Sequence, residues 1–86
     1  MDSMLWNAPP PPARKPRPGE PLFTLRKDSR TMACELRYHG DYGVEAQFLE
    51  NGQLSHARRF ETRGLAVQCA GQERDALQRD GWTQSV

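Results

Sequence analysis

An α+β fold is what the patterning of this chain predicts: an antiparallel sheet of three or four strands packed on one C-terminal helix, in the order ββββα. Three observations lead there. Apolar residues alternate with polar ones between residues 22 and 60, the period of strands with one buried face. Asn51-Gly52 separates two such runs, a pair suited to the left-handed backbone of a tight hairpin turn. From residue 62 to 80 the apolar period lengthens to that of a helix, with capping residues at both ends.

The chain has 86 residues, room for one domain. All seven prolines lie between Ala8 and Pro21, with Arg14, Lys15 and Arg17 among them. Proline lacks a backbone donor and favours extended polyproline II, so this stretch is expected to form neither a ladder nor a core. Residues 1–21 are therefore read as a disordered tail, 22–82 as the folded domain and 83–86 as a disordered end. Pro9 to Arg14 matches the PxxPx(R/K) form bound by SH3-type grooves, and a solvated spacer is the plainer reading. Met4-Leu5-Trp6 reads as a frayed terminus.

Within the domain, Leu22 to Arg26 is the first strand. Thr31 to Tyr38 is the second, with Met32, Cys34, Leu36 and Tyr38 on one face. Lys27-Asp28-Ser29-Arg30 turns between them, and His39 to Gly43 supplies the next turn. Val44 to Leu49 and Gln53 to Phe60 form the hairpin. A three-residue Glu50-Asn51-Gly52 loop with Gly52 at a left-handed bulge position would pair Phe48 with Leu54, Val44 with Arg58 and Tyr42 with Phe60. That register collects Tyr42, Val44, Ala46, Phe48, Leu54 and Phe60 on one face, whereas a two-residue turn would place Phe48 opposite Ser55 and Val44 opposite Arg59 and split the apolar set. Thr62 is the expected helix N-cap and Gly81 the left-handed residue after its end. Leu65, Ala66, Cys69, Ala70, Ala76 and Leu77 share one stripe, with Val67 off it and Asp75 and Arg79 paired on the opposite side.

Composition narrows the function classes. Twelve basic and eleven acidic residues leave a formal charge of +1, so there is no global pull toward phosphate or anionic lipid. No apolar run approaches the length of a membrane span, and no secretory leader is visible, so a cytoplasmic protein with no membrane role is expected. Cys34 and Cys69 lack metal-ligand spacing and are expected to be buried, reduced thiols. No phosphate loop, H-E-x-x-H or nucleophile elbow occurs, and no sequence neighbour orients His39 or His56 for acid–base work. Neither a metal, a cofactor nor an enzymatic activity is expected.

Two constellations stand out. His56 and Arg58 fall on the predicted inner face and Glu73 inside the apolar helix stripe. An unpaired charge there would be costly, which predicts a contact from Glu73 to Arg58 or His56, or side chains that reach out at the rim of the sheet. The outer face would carry Arg37, Gln47 and Arg59, residue types that read guanine and adenine when a sheet enters a major groove. Glu35 and Glu45 on that face would repel phosphate.

The run from Val44 through Phe60, Thr62 and Ala66 to Gln78 resembles the hairpin, F-x-T and helix pattern of the arm-type DNA-binding domains of tyrosine recombinases. That resemblance implies a sheet laid in the major groove. This chain departs from the pattern in its leading strand pair and its acidic residues on the sheet face. From Pro21 to Trp82 the chain also resembles short uncharacterised bacterial proteins, which implies a fold and no activity. The expectation is thus a small non-enzymatic interaction module whose partner is another protein or a second copy, with weak nucleic-acid binding through the exposed sheet face and the basic leader as the alternative.

Overall fold

The computed structural model describes residues 19–84. Strands β1 (Glu20–Lys27), β2 (Arg30–Tyr38), β3 (Val44–Glu50), β4 (Gln53–Phe60) and β5 (Thr83–Gln84) form one antiparallel sheet, and helix α1 (Arg63–Arg79) packs against one of its faces. The strand order is β4-β3-β2-β1-β5, a meander whose last strand returns beside its first. The class is α+β, with one strand more than the sequence predicts. The proline-rich leader before Gly19, its SH3-type match at 9–14 and Met4-Leu5-Trp6 lie outside the described residues, as do residues 85–86.

Alternation builds the sheet side of the core. Phe23 and Leu25 of β1, Met32, Cys34 and Leu36 of β2, and Val44, Ala46 and Phe48 of β3 are all buried, and each is two residues from the next on its strand. β1 starts at Glu20, earlier than the first apolar residue suggests. A bulge at Leu22 between Pro21 and Phe23 restores the register with β2. Pro21 is tolerated because β5 covers β1 only at Leu25 and Arg26, so the start of β1 is a sheet edge that needs no donor.

The β3–β4 hairpin differs from the predicted register. Its turn is two residues long, with Asn51 at φ +53° and Gly52 at φ +83°, and Glu50 opposes Gln53. Leu49 then opposes Leu54, and a bulge at Ser55 shifts the strand so that Phe48 opposes His56 and Val44 opposes Phe60. The extra residue sits in the strand and not in the loop. Leu54 consequently turns to the outer face, and Tyr42 leaves the ladder altogether in a 3-10 turn, Gly40–Tyr42. The turn is secured from β2: the Asn51 N–H donates to the Thr31 carbonyl and the Asn51 Oδ1 accepts from the Thr31 N–H, each at 2.9 Å. Gly52 has a left-handed backbone with open space around a would-be Cβ, so Gly52→Ala is expected to cost about 1 kcal/mol, read as a lower denaturant midpoint at unchanged slope.

Helix α1 is delimited as its sequence predicts. The Thr62 Oγ1 accepts from the Leu65 N–H at 3.2 Å. At the other end Gly81 has φ +99°, its N–H donates to the Gln78 carbonyl, and the Trp82 N–H donates to the Leu77 carbonyl at 3.0 Å. These two bonds form a Schellman motif. They reverse the chain, drive Trp82 into the core and align Thr83–Gln84 with β1, so a segment predicted as a disordered end is a strand over those two residues. Lys27 completes the cap by donating from Nζ to the Asp80 carbonyl at 2.7 Å, a cation where the helix dipole is negative.

The buried stripe of α1 runs through Ala66 and Ala70, with Val67 and Leu77 packed partly against the core. Leu65 is exposed and Val67 is not, the reverse of the predicted assignment. The helix lies over β3 and β4, with a smaller contact to β1; two alanines toward the sheet keep the layers close and rotate Leu65 outward. Asp75 pairs with Arg74 at 3.5 Å, in place of the expected Arg79. Both cysteines are free, but only Cys34 is fully buried; Cys69 is half-buried on the helix. Burial pushes the Cys34 thiol up to about 12. Native alkylation is therefore expected to reach Cys69 first and Cys34 only on unfolding, a difference that peptide mass mapping after a timed quench resolves.

Candidate interaction surface

The face of the sheet opposite α1 carries Arg37, Gln47 and Arg59, as the period of two requires. Register decides what they meet. Arg37 opposes Glu45, and Glu45 opposes Arg59, so the two arginines flank a carboxylate in one cross-strand row. The Gln47 amide donates to the Glu45 Oε1 at 2.9 Å, and the His39 Nε2 lies 3.2 Å from the same oxygen. Those hydrogen bonds, Gln47 foremost, hold the Glu45 carboxyl below its ordinary range. The Arg37 guanidinium lies against Gly19 and 3.9 Å from Glu35. The outer face is a mixed-charge lattice in which Gln47 already has an acceptor.

At the other end of this face Ala33, Leu49 and Leu54 form a second row across β2, β3 and β4. Leu54 is 59% exposed there. Ala57 sits between the two ends, opposite Gln47.

The inner-face polar trio is only partly assembled. His56 stacks on Phe48, with ring centroids 4.5 Å apart and planes at 14°, and its Nε2 lies 4.0 Å from Glu73 Oε1. Arg58 instead rests over the Phe60 ring, 5.2 Å from its centroid. The His56 and Glu73 side chains are 48% and 42% exposed, so this is the rim arrangement and not a buried charge pair. No polar or charged residue is fully buried among the described residues.

What the sequence does not mark is the edge. Among the described residues β4 lies at the end of the strand order, and it is exposed along nearly its whole length. Successive residues of a strand point their N–H and C=O to opposite sides. Because Asn51 bonds toward β2, the even-numbered residues of β3 bond toward β4. In β4 their partners are Gln53, His56, Arg58 and Phe60. Leu54, Ala57 and Arg59 therefore aim their backbone donors and acceptors away from the sheet. Shallow recesses bracket this edge, one against Glu50, Gln53 and Leu54, the other between Tyr42, Arg59 and Phe60.

At the far side of the sheet the polar contacts are structural. Arg63 donates from Nε and Nη2 to the two Glu20 oxygens at 3.1 and 2.6 Å, and the Tyr38 hydroxyl donates to Glu20 at 2.5 Å, tying α1 to β1 and β2. Arg30 bonds Glu50 at 2.7 Å and lies 5.1 Å from the Trp82 ring. No described helix is long and apolar enough to cross a membrane, and no group of three or more metal-ligating side chains occurs among the described residues.

Comparison with protein-family models, curated proteins and solved structures gives no match for this chain, so the functional reading rests on the geometry of this surface.

Proposed function

We propose that this chain is a non-enzymatic interaction module that takes a partner polypeptide as an added strand along β4. The observation that carries the reading is the open edge: the outward backbone groups of Leu54, Ala57 and Arg59 belong to a long exposed strand. Such an edge offers main-chain hydrogen bonds to an extended chain, the mode called β-augmentation. The opposite edge is partly occupied by β5.

Ala57→Pro tests this. Proline removes an outward donor while leaving the ladder to β3 intact, as an edge strand tolerates. Wild-type and variant full chains with matching melting midpoints are compared in stoichiometric capture from cell extract, read by mass spectrometry. Partners held by the wild type and lost by Ala57→Pro support the reading; equal capture by both, or by neither, overturns it.

The nucleic-acid alternative uses Arg37, Gln47 and Arg59. Charge argues against it, since Glu45 separates the arginines and already accepts from Gln47. Duplex DNA is expected to bind no tighter than about 10⁻⁴ to 10⁻⁶ M at physiological salt. Submicromolar, salt-sensitive binding abolished by replacing Arg37 and Arg59 together with alanine would promote that alternative.

A further inference from the structure

We propose that the strand received by β4 is an extended acidic peptide with two consecutive carboxylates at its centre; this rests on the edge-binding reading above. The argument starts from Arg58 and Arg59. They are neighbours on an extended strand, so Arg58 faces the helix side of the sheet and Arg59 the outer side. Among the described residues neither has a carboxylate within ion-pair distance. Arg58 lies over Phe60, and the carboxylate opposite Arg59, that of Glu45, accepts from Gln47 and contacts His39. An incoming strand thus meets a guanidinium on each face, Arg58 with no carboxylate opposite it and Arg59 facing Glu45 without a direct ion pair. Residues of the incoming strand opposite Arg58 and Arg59 would also be consecutive and point to the same two faces, so a pair of adjacent acids satisfies both, and opposite charges directly across a strand pair are favourable.

A second copy fits less well. Pairing Ala57 with the Arg59 of another copy uses all the outward groups beyond the bulge, but it sets the two Arg58 side chains directly opposite each other, a like-charge contact that disfavours the pair. Sliding to Ala57 against Ala57 avoids that and instead sets Arg59 against Ser55, the bulged residue whose ladder groups are displaced. Bulges and edge charges are how sheets discourage self-pairing. Here the same two features select for a partner of opposite charge. Leu54 and Tyr42, 59% and 77% exposed, are apolar footholds at the two ends, set among the mainly polar residues that line the flanking recesses. They favour apolar side chains flanking the acidic pair.

The test uses a randomised dodecapeptide display library selected on the immobilised full chain. Enriched peptides are expected to be free of proline, with adjacent acids between β-branched or aromatic residues. Titration of a synthetic consensus peptide should move and protect the Ala57 and Arg59 amides. Arg58→Ala with Arg59→Ala should weaken binding about tenfold or more, while the paired lysine variants retain most of it. Enriched peptides that lack acids, contacts that map away from β4, affinity unmoved by the double alanine variant, or no enrichment at all would each overturn the proposal. So would concentration-dependent protection of the same amides without peptide, which would signify self-pairing. If partner capture depends on Ala57 but acidic peptides do not bind, the edge-binding function stands and the acidic assignment falls; if capture is indifferent to Ala57→Pro, the function itself fails.

Discussion

Phe48→Ala is expected to leave the domain largely unfolded at 25 °C. Phe48 is the largest of the fully buried side chains, at 1% exposure, and sits at the centre of the sheet's inner face. Its ring lies 6.5 Å from Phe23 and stacks against His56. Truncating a buried phenylalanine costs about 3–5 kcal/mol, partly through the cavity left behind. A domain of this size holds only about 3–5 kcal/mol in its core, so the change removes nearly all of the stability. The helix layer cannot refill the space, because Ala66 and Ala70 are its most buried residues and have no side chain to advance. Far-UV circular dichroism and denaturant titration read the result. A cooperative transition with its midpoint close to that of the wild type would show that the core is organised around other residues.

Gly43→Ala should be comparably damaging, and for a different reason. Gly43 follows the 3-10 turn at φ +93° and ψ −160°, a region of backbone space that only glycine enters readily. A Cβ there would lie 2.3 Å from the Phe60 carbonyl oxygen. That oxygen belongs to the backbone at the end of β4, so relief requires parting β3 from β4 where the ladder ends and the chain leaves for α1. Strain of about 1–3 kcal/mol adds to the clash. Gly52→Ala is the internal control: it too has positive φ, but its Cβ meets nothing within 4 Å. Melting curves for the two variants are expected to separate widely, with Gly43→Ala by far the lower. Equal midpoints would refute the close approach at Gly43.

Features that depend on the nearest few residues were legible along the chain. Alternation placed Met32, Cys34, Leu36, Val44, Ala46 and Phe48 on one face because the pleat gives a strand only two sides, and the structure buries all six. Thr62 and Gly81 marked the helix ends because capping is satisfied within one turn. Arg37, Gln47 and Arg59 could be assigned to one face on the same grounds. Their pairing could not, since a neighbour across the sheet depends on register, and one bulged residue changes every partner beyond it. That is why Ser55, which carries no bulge-specific signature, displaced Leu54 from the predicted core and brought His56 onto Phe48.

Other features arise from contacts between segments far apart in the chain. Trp82 has no periodic neighbours after Gly81, and its burial follows from the reversal that aims it back beneath Arg30. β5 exists because that same reversal brings Thr83–Gln84 beside β1, a contact across nearly the whole domain. The openness of β4, on which the binding proposal stands, is a property of strand order: a strand is an edge by virtue of what is not laid beside it, and no local pattern of side chains encodes that.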